Sequence, residues 1–364
     1  MTGYFGVAEW LTNLTLLVFF VCFALSTLVW GPLSDRLGRR PVMLVGLSLY
    51  AVASLACAVS GDVYALIVFR ALQAIGGGAG AATGTAIVKD VFRGRRRETA
   101  LAVVQSLFFI APAAAPAIGS VLLTVTSWRG VFVTQALIGA ITVAGAFVFA
   151  ETIEVRQTGG LRHALSRLVS VARNPAFTSL LAVFSITSIA SLSFVGASSY
   201  IYQNEFGLSS GQFALFFAFN AAGLLAGPVL YVLVGERFAR AAVITLCFAV
   251  MAVSGAGIVA FGPAGPLVFA PLLLPATIAT SCSRPPGSYL MLSQAESDAG
   301  SASALMGATG MIMGSIGVAL VSVVPGSMVR TVGLLNLVVG AICLAGWLAV
   351  SRLPVLREQP GETE

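Results

Sequence analysis

A chain of 364 residues that is 58% hydrophobic, only 9% charged and has a mean hydropathy of +0.96 stands far from soluble proteins, in which about one residue in four is charged. That balance excludes a soluble enzyme or a free-standing binding domain and implies an integral membrane protein. The net charge of +6 gives no reason to expect a nucleic-acid partner, because the positive residues follow the loops between apolar runs.

Met1 to Glu9 is too short and too polar for a signal peptide with a basic start and a cleavage site. After it, apolar runs of about twenty residues recur, the length that spans ~30 Å of hydrocarbon at 1.5 Å per helical residue. They predict helices rather than barrel strands. In order they are Leu11 to Trp30, Val42 to Val59, Tyr64 to Val88, Thr99 to Val125, Val131 to Phe149, Ala176 to Tyr202, Gly211 to Val234, Ala241 to Phe261, Pro266 to Leu292, Ala302 to Val324 and Val329 to Val350, eleven in all. The longest polar stretch, Ile153 to Pro175, divides them. Within it Leu161, Leu165, Leu168 and Val169 share one face of a short surface helix, although a flexible connector fits the composition equally. The domain expectation is a first half at 1–151, a linker at 152–175, a second half at 176–352 and a tail at 353–364.

Sixteen of the twenty Lys and Arg residues, among them Arg36, Arg39, Arg40, Lys89, Arg237 and Arg240, fall on one side of this topology, against Arg129 and Arg330 on the other. The basic side is therefore predicted to be cytoplasmic, together with the carboxyl end. Arg70 and Arg284 fall inside spans. The five cysteines, Cys22, Cys57, Cys247, Cys282 and Cys343, lie in apolar runs without paired spacing, so they are expected to pack rather than hold a metal or cofactor.

Between the first two spans stands Gly31-Pro32-Leu33-Ser34-Asp35-Arg36-Leu37-Gly38-Arg39-Arg40-Pro41. Gly31 is expected to let two helices approach, Pro32 and Gly38 to force a tight reversal, and the arginines to hold the loop at the membrane surface. Asp35, near helix ends, can favour one docking of its neighbours through an N-terminal dipole. The pattern resembles the signature loop of the major facilitator superfamily, in which Gly31, Asp35, Arg36, Gly38, Arg39 and Arg40 form a conformational latch. A weaker echo, Gly227-Pro228 followed by Arg237 and Arg240, fits two halves related by an axis along the membrane normal. On that register the first half holds five spans and the first helix of the fold is missing.

Two further stretches carry the resemblance. Arg70-Ala71-Leu72-Gln73 with its following glycines is similar to the fourth-helix motif of the superfamily. Gly76, Gly80 and Gly84 also form a small-xxx-small packing series. Ala111-Pro112-Ala113-Ala114-Ala115-Pro116-Ala117-Ile118-Gly119-Ser120 is similar to the bending helix of drug and proton antiporters, which assigns flexing to Pro112, Pro116 and Gly119. With Trp128-Arg129, Ala150-Glu151-Thr152 and Gly300-Ser301-Ala302, the whole resembles the bicyclomycin and chloramphenicol resistance branch.

The resemblance implies an all-helical fold in two pseudo-symmetric halves, in a bacterial inner membrane, acting as a monomer. It implies export of an amphipathic drug by proton antiport, with a metabolite or siderophore transporter, or a non-transporting remnant, as alternatives. Coupling or substrate contacts are assigned to Arg70, Gln73, Asn220 and Arg284. Asn13, Gln105, Gln135, Tyr200 and Gln203 are polar or aromatic residues of apolar spans that could line a cavity. Arg284-Pro285-Pro286 is expected to interrupt its span. None of the fourteen acidic residues falls at mid-span, so no proton carrier is evident.

Overall fold

The computed structural model describes residues 2–92, 118–119, 121–123, 125–153, 161–235, 237–295 and 298–352. Among these the chain is all-helical. A short α1 (Thr2–Phe5) precedes α2 (Glu9–Leu37), α3 (Arg39–Val59), α4 (Val63–Val91) and α5 (Trp128–Val148). Then come α6 (Leu161–Ala172), α7 (Pro175–Tyr200), α8 (Ser210–Gly235), α9 (Arg240–Phe261), α10 (Pro266–Ser293), α11 (Ala299–Val323) and α12 (Met328–Val350). Ten of these helices are long and apolar enough to cross a membrane, and they coincide with ten of the eleven expected spans. The remaining span, Thr99 to Val125, falls mostly outside the described residues, as do Pro112 and Pro116.

Contacts divide the chain into a unit of residues 1–167 and a unit of residues 168–364. In the first, α4 packs along both α2 and α3, and α3 packs along α5. At Gly76 backbone meets backbone: an added Cβ would stand 2.5 Å from Tyr50 N and 2.6 Å from Gly46 O, both backbone atoms of α3. Lipid offers no hydrophobic drive for such pairing, so close backbone contact and hydrogen bonds across helices supply it. One of these bonds runs from Trp30 Nε1 to Ile75 O at 2.8 Å and joins α2 to α4. Helix starts are satisfied locally: Asp62 accepts from Tyr64 N and Ala65 N at the head of α4, and Ser127 accepts from Arg129 N at the head of α5.

In the second unit α7 packs on α11, α9 on α12, and α10 on both α8 and α9. Its core gathers Phe177, Leu180, Ile244, Phe248, Met251 and Cys343. Near one end, Tyr202 stacks on Phe216 with ring centroids 5.3 Å apart, in a π-helical turn, Ile201–Glu205, that extends α7. The carboxylate of Glu205 then accepts from Ser327 Oγ at 2.9 Å and Met328 N at 2.5 Å, closing the head of α12.

Four expectations need correction. Pro32 does not turn the chain, because α2 runs through it to Leu37 and Gly38 alone reverses direction, at φ +106°. Gly31 makes no close helix contact among the described residues, none of which lies within 4 Å of an added Cβ there. Arg284-Pro285-Pro286 does not interrupt its span: α10 is continuous through four internal prolines. The helix persists because neighbours clasp it and hydroxyls engage the backbone, as where Ser281 Oγ donates to Gly223 O of α8 at 3.1 Å. In α6, which does form, Leu168 is buried as expected, but Val169 is exposed and Val171 takes its place among the buried residues.

Candidate functional site

The ends of α2, α3, α4 and α5 that carry the signature residues meet in a network centred on Arg39. This residue is 6% exposed, at the first turn of α3. Its guanidinium pairs with Asp35 of α2, reaches Asp90 Oδ2 of α4 at 2.9 Å and donates to Ser34 Oγ at 2.6 Å. The forked donor set of arginine makes three simultaneous bonds of this kind possible. Three helix ends are thereby tied through one cation.

Glu151, just past α5, supplies the second half of the knot. Its carboxylate accepts from the backbone N–H of Arg39 at 2.9 Å and of Arg40 at 3.2 Å, which are otherwise unsatisfied donors at the head of α3. It also accepts from Thr152 N and Ile153 N. The helix-dipole role expected of Asp35 thus belongs to Glu151, while Asp35 pairs with a side chain. Gly38 is what permits the fit, because a Cβ there would collide with the Glu151 carboxylate, at a φ that L residues rarely adopt. Arg40 NH2 donates to Phe147 O at 2.6 Å, whereas Arg36 stands exposed outside the network.

Partial burial acts to raise the pKa of Glu151, but the four backbone N–H groups outweigh it and hold the carboxyl below its usual value. A depressed native pKa gives stability that is full above the unfolded value of about 4.3 and is lost as pH falls through the native value. The wild-type protein should therefore lose thermal stability between about pH 5 and pH 3 more steeply than Glu151→Gln. Parallel pH profiles of the two melting temperatures would contradict this.

A second cluster lies inside the first unit. Arg70 sits two turns into α4, about 10 Å from its start at 1.5 Å per residue. Its NH1 donates to Gln73 Oε1 at 2.6 Å, and Gln73 Nε2 donates to Ser54 Oγ of α3 at 2.7 Å and to Gln135 Oε1 of α5 at 2.8 Å. The guanidinium carbon lies 4.3 Å from the centroid of the Phe19 ring and 5.7 Å from that of Phe132. An arginine within a span costs about 2.5–3.5 kcal/mol on insertion scales, a cost offset here by one amide and two ring faces. No carboxylate forms an ion pair with it among the described residues.

The other expected site residues are not drawn into these clusters. Asn220 is 1% exposed in α8, where Nδ2 donates to Phe216 O at 3.3 Å and Oδ1 has no partner among the described residues. Arg284 lies on an accessible face of α10. Asn13 is buried in α2, and Gln203 bonds Ser199 and Ser210 at the far end of α7. Tyr200 ends α7, Gly119 is described as helical, and Gln105 lies outside the described residues. Sequence reasoning missed Asp90 and Glu151 as partners of the loop and Ser54 as a partner of Gln73. The usable signal for the first two was topological, since α4 and α5 must end on the side where α3 begins.

Residues 1–318 match the family described as the Major Facilitator Superfamily. An uncharacterized MFS-type transporter of Bacillus subtilis, YdgK, is 28% identical over 316 residues, which cover 84% of this chain and 78% of that one. The multidrug resistance protein MdtL of Salmonella typhimurium is 28% identical over 205 residues, 56% of this chain and about half (52%) of its own length. Among solved structures, a peptide transporter POT in complex with sulfate superposes with a TM-score of 0.75 at 16% identity, covering 96% of this chain and 88% of that one. A bacterial homolog of the human lysosomal transporter Spinster gives 0.71 at 14% identity, with 99% and 93% covered. At such identities the structural likeness concerns the fold.

Proposed function

Since the chain belongs to the major facilitator superfamily, we propose that it is a secondary transporter of the bicyclomycin and chloramphenicol resistance branch. It exports amphipathic drugs from the cell by alternating access, with inward proton flow as the drive. The observation that carries transport is the Arg70 cluster, a cation held inside a spanning helix at a cost that a purely structural bundle has no reason to bear. The drug class is supported by relatives that bear the name multidrug resistance protein MdtL.

In this reading the end with Arg39 faces the cytoplasm, which the placement of basic loops supports. Asp35, Arg39, Arg40 and Gly38 form the latch, now joined by Asp90 and Glu151. Pro112, Pro116 and Gly119 provide the bending helix, and Arg70, Gln73, Asn220 and Arg284 meet substrate or respond to its coupling ion. The protein acts as a monomer in a bacterial inner membrane.

The test is drug uptake into everted vesicles of an efflux-deficient host. Chloramphenicol should accumulate when a proton gradient is imposed and leak away when a protonophore collapses it. Asp35→Asn should abolish that accumulation at unchanged membrane abundance. Uptake indifferent to the protonophore would remove proton antiport, and full activity of Asp35→Asn would remove the latch.

A further inference from the structure

The Arg70 cluster has a direction of polarity imposed by its residue types. Arginine offers five N–H donors and no acceptor, so the Gln73 atom that meets Arg70 NH1 at 2.6 Å is the amide oxygen. Gln73 must then turn its nitrogen the other way, where Nε2 spends both hydrogens, one on Ser54 Oγ at 2.7 Å and one on Gln135 Oε1 at 2.8 Å. That orients Gln135 in turn, with its oxygen inward and its Nε2 without a partner among the described residues. The Ser54 proton goes to Tyr50 O at 2.7 Å. Each side-chain oxygen of the cluster is engaged inside it, and what remains unspent is donors, on Arg70 and on Gln135.

Those donors are reachable. Arg70 and Gln135 are half-buried, whereas Gln73 is fully buried behind them, and the half-buried ring of Phe19 offers an apolar wall beside the guanidinium. Among the described residues no acid stands beside Arg70: Asp90, the one acid of α4, lies at its other end, about 30 Å away at 1.5 Å per residue, and is held by Arg39. Residues 39–59, 63–88 and 128–148 contain no Asp or Glu, and those of α2 stand at its two ends. The second unit repeats the charge pattern independently. Arg284 lies on an accessible face of α10, a helix without a single acid.

Resting on the transport reading above, we propose that the solute is an amphipathic organic anion. Its carboxylate or equivalent oxyanion accepts from Arg70 and Gln135 Nε2, and its apolar body lies against Phe19. Charge-assisted bonds to a guanidinium favour an anion over a neutral acceptor, and an unneutralised cation within the span repels a cationic amphiphile.

The experiment is calorimetric binding to the full chain in nanodiscs, with 1-naphthoate, 1-naphthamide and 1-naphthylmethylammonium as probes of nearly equal size. Naphthoate should bind about tenfold or more tighter than the ammonium, with the amide between them. Arg70→Gln should bring naphthoate down to the level of the amide. Gln135→Glu, which sets a carboxylate of the chain itself beside Arg70, should do the same at an unchanged melting temperature. Equal or tighter binding of the ammonium, or a naphthoate preference that survives both variants, overturns the proposal. Displacement of naphthoate by equimolar chloride or sulfate overturns it too, by showing a site for simple inorganic anions. Proton-driven drug uptake is measured separately in vesicles. Its absence alongside a retained naphthoate preference sinks the export reading and upholds the anion site, whereas efflux of lipophilic cations undiminished in Arg70→Gln does the reverse.

Discussion

Gly76→Ala should destabilise the purified protein by about 3 kcal/mol, whereas Gly31→Ala and Gly84→Ala should be neutral or slightly stabilising. The difference lies in what each new Cβ meets. At residue 76 it meets the backbone of Tyr50 and Gly46, which has no rotamer into which it can retreat, so α3 and α4 must separate. At residues 31 and 84 it meets none of the described residues within 4 Å, and exchanging glycine for alanine then favours the helix. The effect at Gly76 also reaches the polar cluster, because the bond between Ser54 and Gln73 crosses the same α3–α4 seam. Unfolding in mixed micelles measures the stabilities, and the affinity for naphthoate reports the cluster. Equal tolerance at residues 76 and 84 would mean that the seam yields and that close backbone contact does not hold the unit together.

This contrast also shows what a sequence discloses and what it withholds. The spans were legible because hydrocarbon thickness sets their length and leaves almost no polar residue within them. Gly76, Gly80 and Gly84 could be recognised as a packing series, but spacing alone does not say which member touches a neighbour. Pro32, like Gly38, looked like part of a tight reversal because proline does make turns in water. Inside a membrane, a helix interrupted there would leave backbone groups unsatisfied, so α2 continues to Leu37. Arg70 and Gln73 were predictable partners at i, i+3. Ser54 and Gln135 were not, since their place depends on the rotation of α3 and α5 about their own axes. Asp90 and Glu151 were hidden for a similar reason: each ends a different run, and only the assembled bundle brings both to Arg39.

Arg39→Ala should cost about 2–3 kcal/mol and abolish transport, while Arg36→Ala should change stability by less than about 0.5 kcal/mol although both arginines belong to the same motif. Removing the Arg39 side chain leaves Asp35 and Asp90 without their cation and Ser34 without its donor. The penalty falls below the ~3–5 kcal/mol of a fully buried pair because Asp35 and Asp90 keep side-chain exposures of 35% and 21%, and water screens what the cation no longer neutralises. Arg39→Lys should recover part of the stability, since one ammonium cannot hold three acceptors in the geometry of the fork. The decisive variant is Arg39→Ala combined with Asp90→Asn, which takes away the stranded charge as well. Its stability should rise above that of Arg39→Ala alone while transport stays lost, because the neutral pair no longer ties α4 to α3 by charge. Recovery of transport in that double variant would show that the network only stabilises the bundle, and the latch would then have to be sought in other residues.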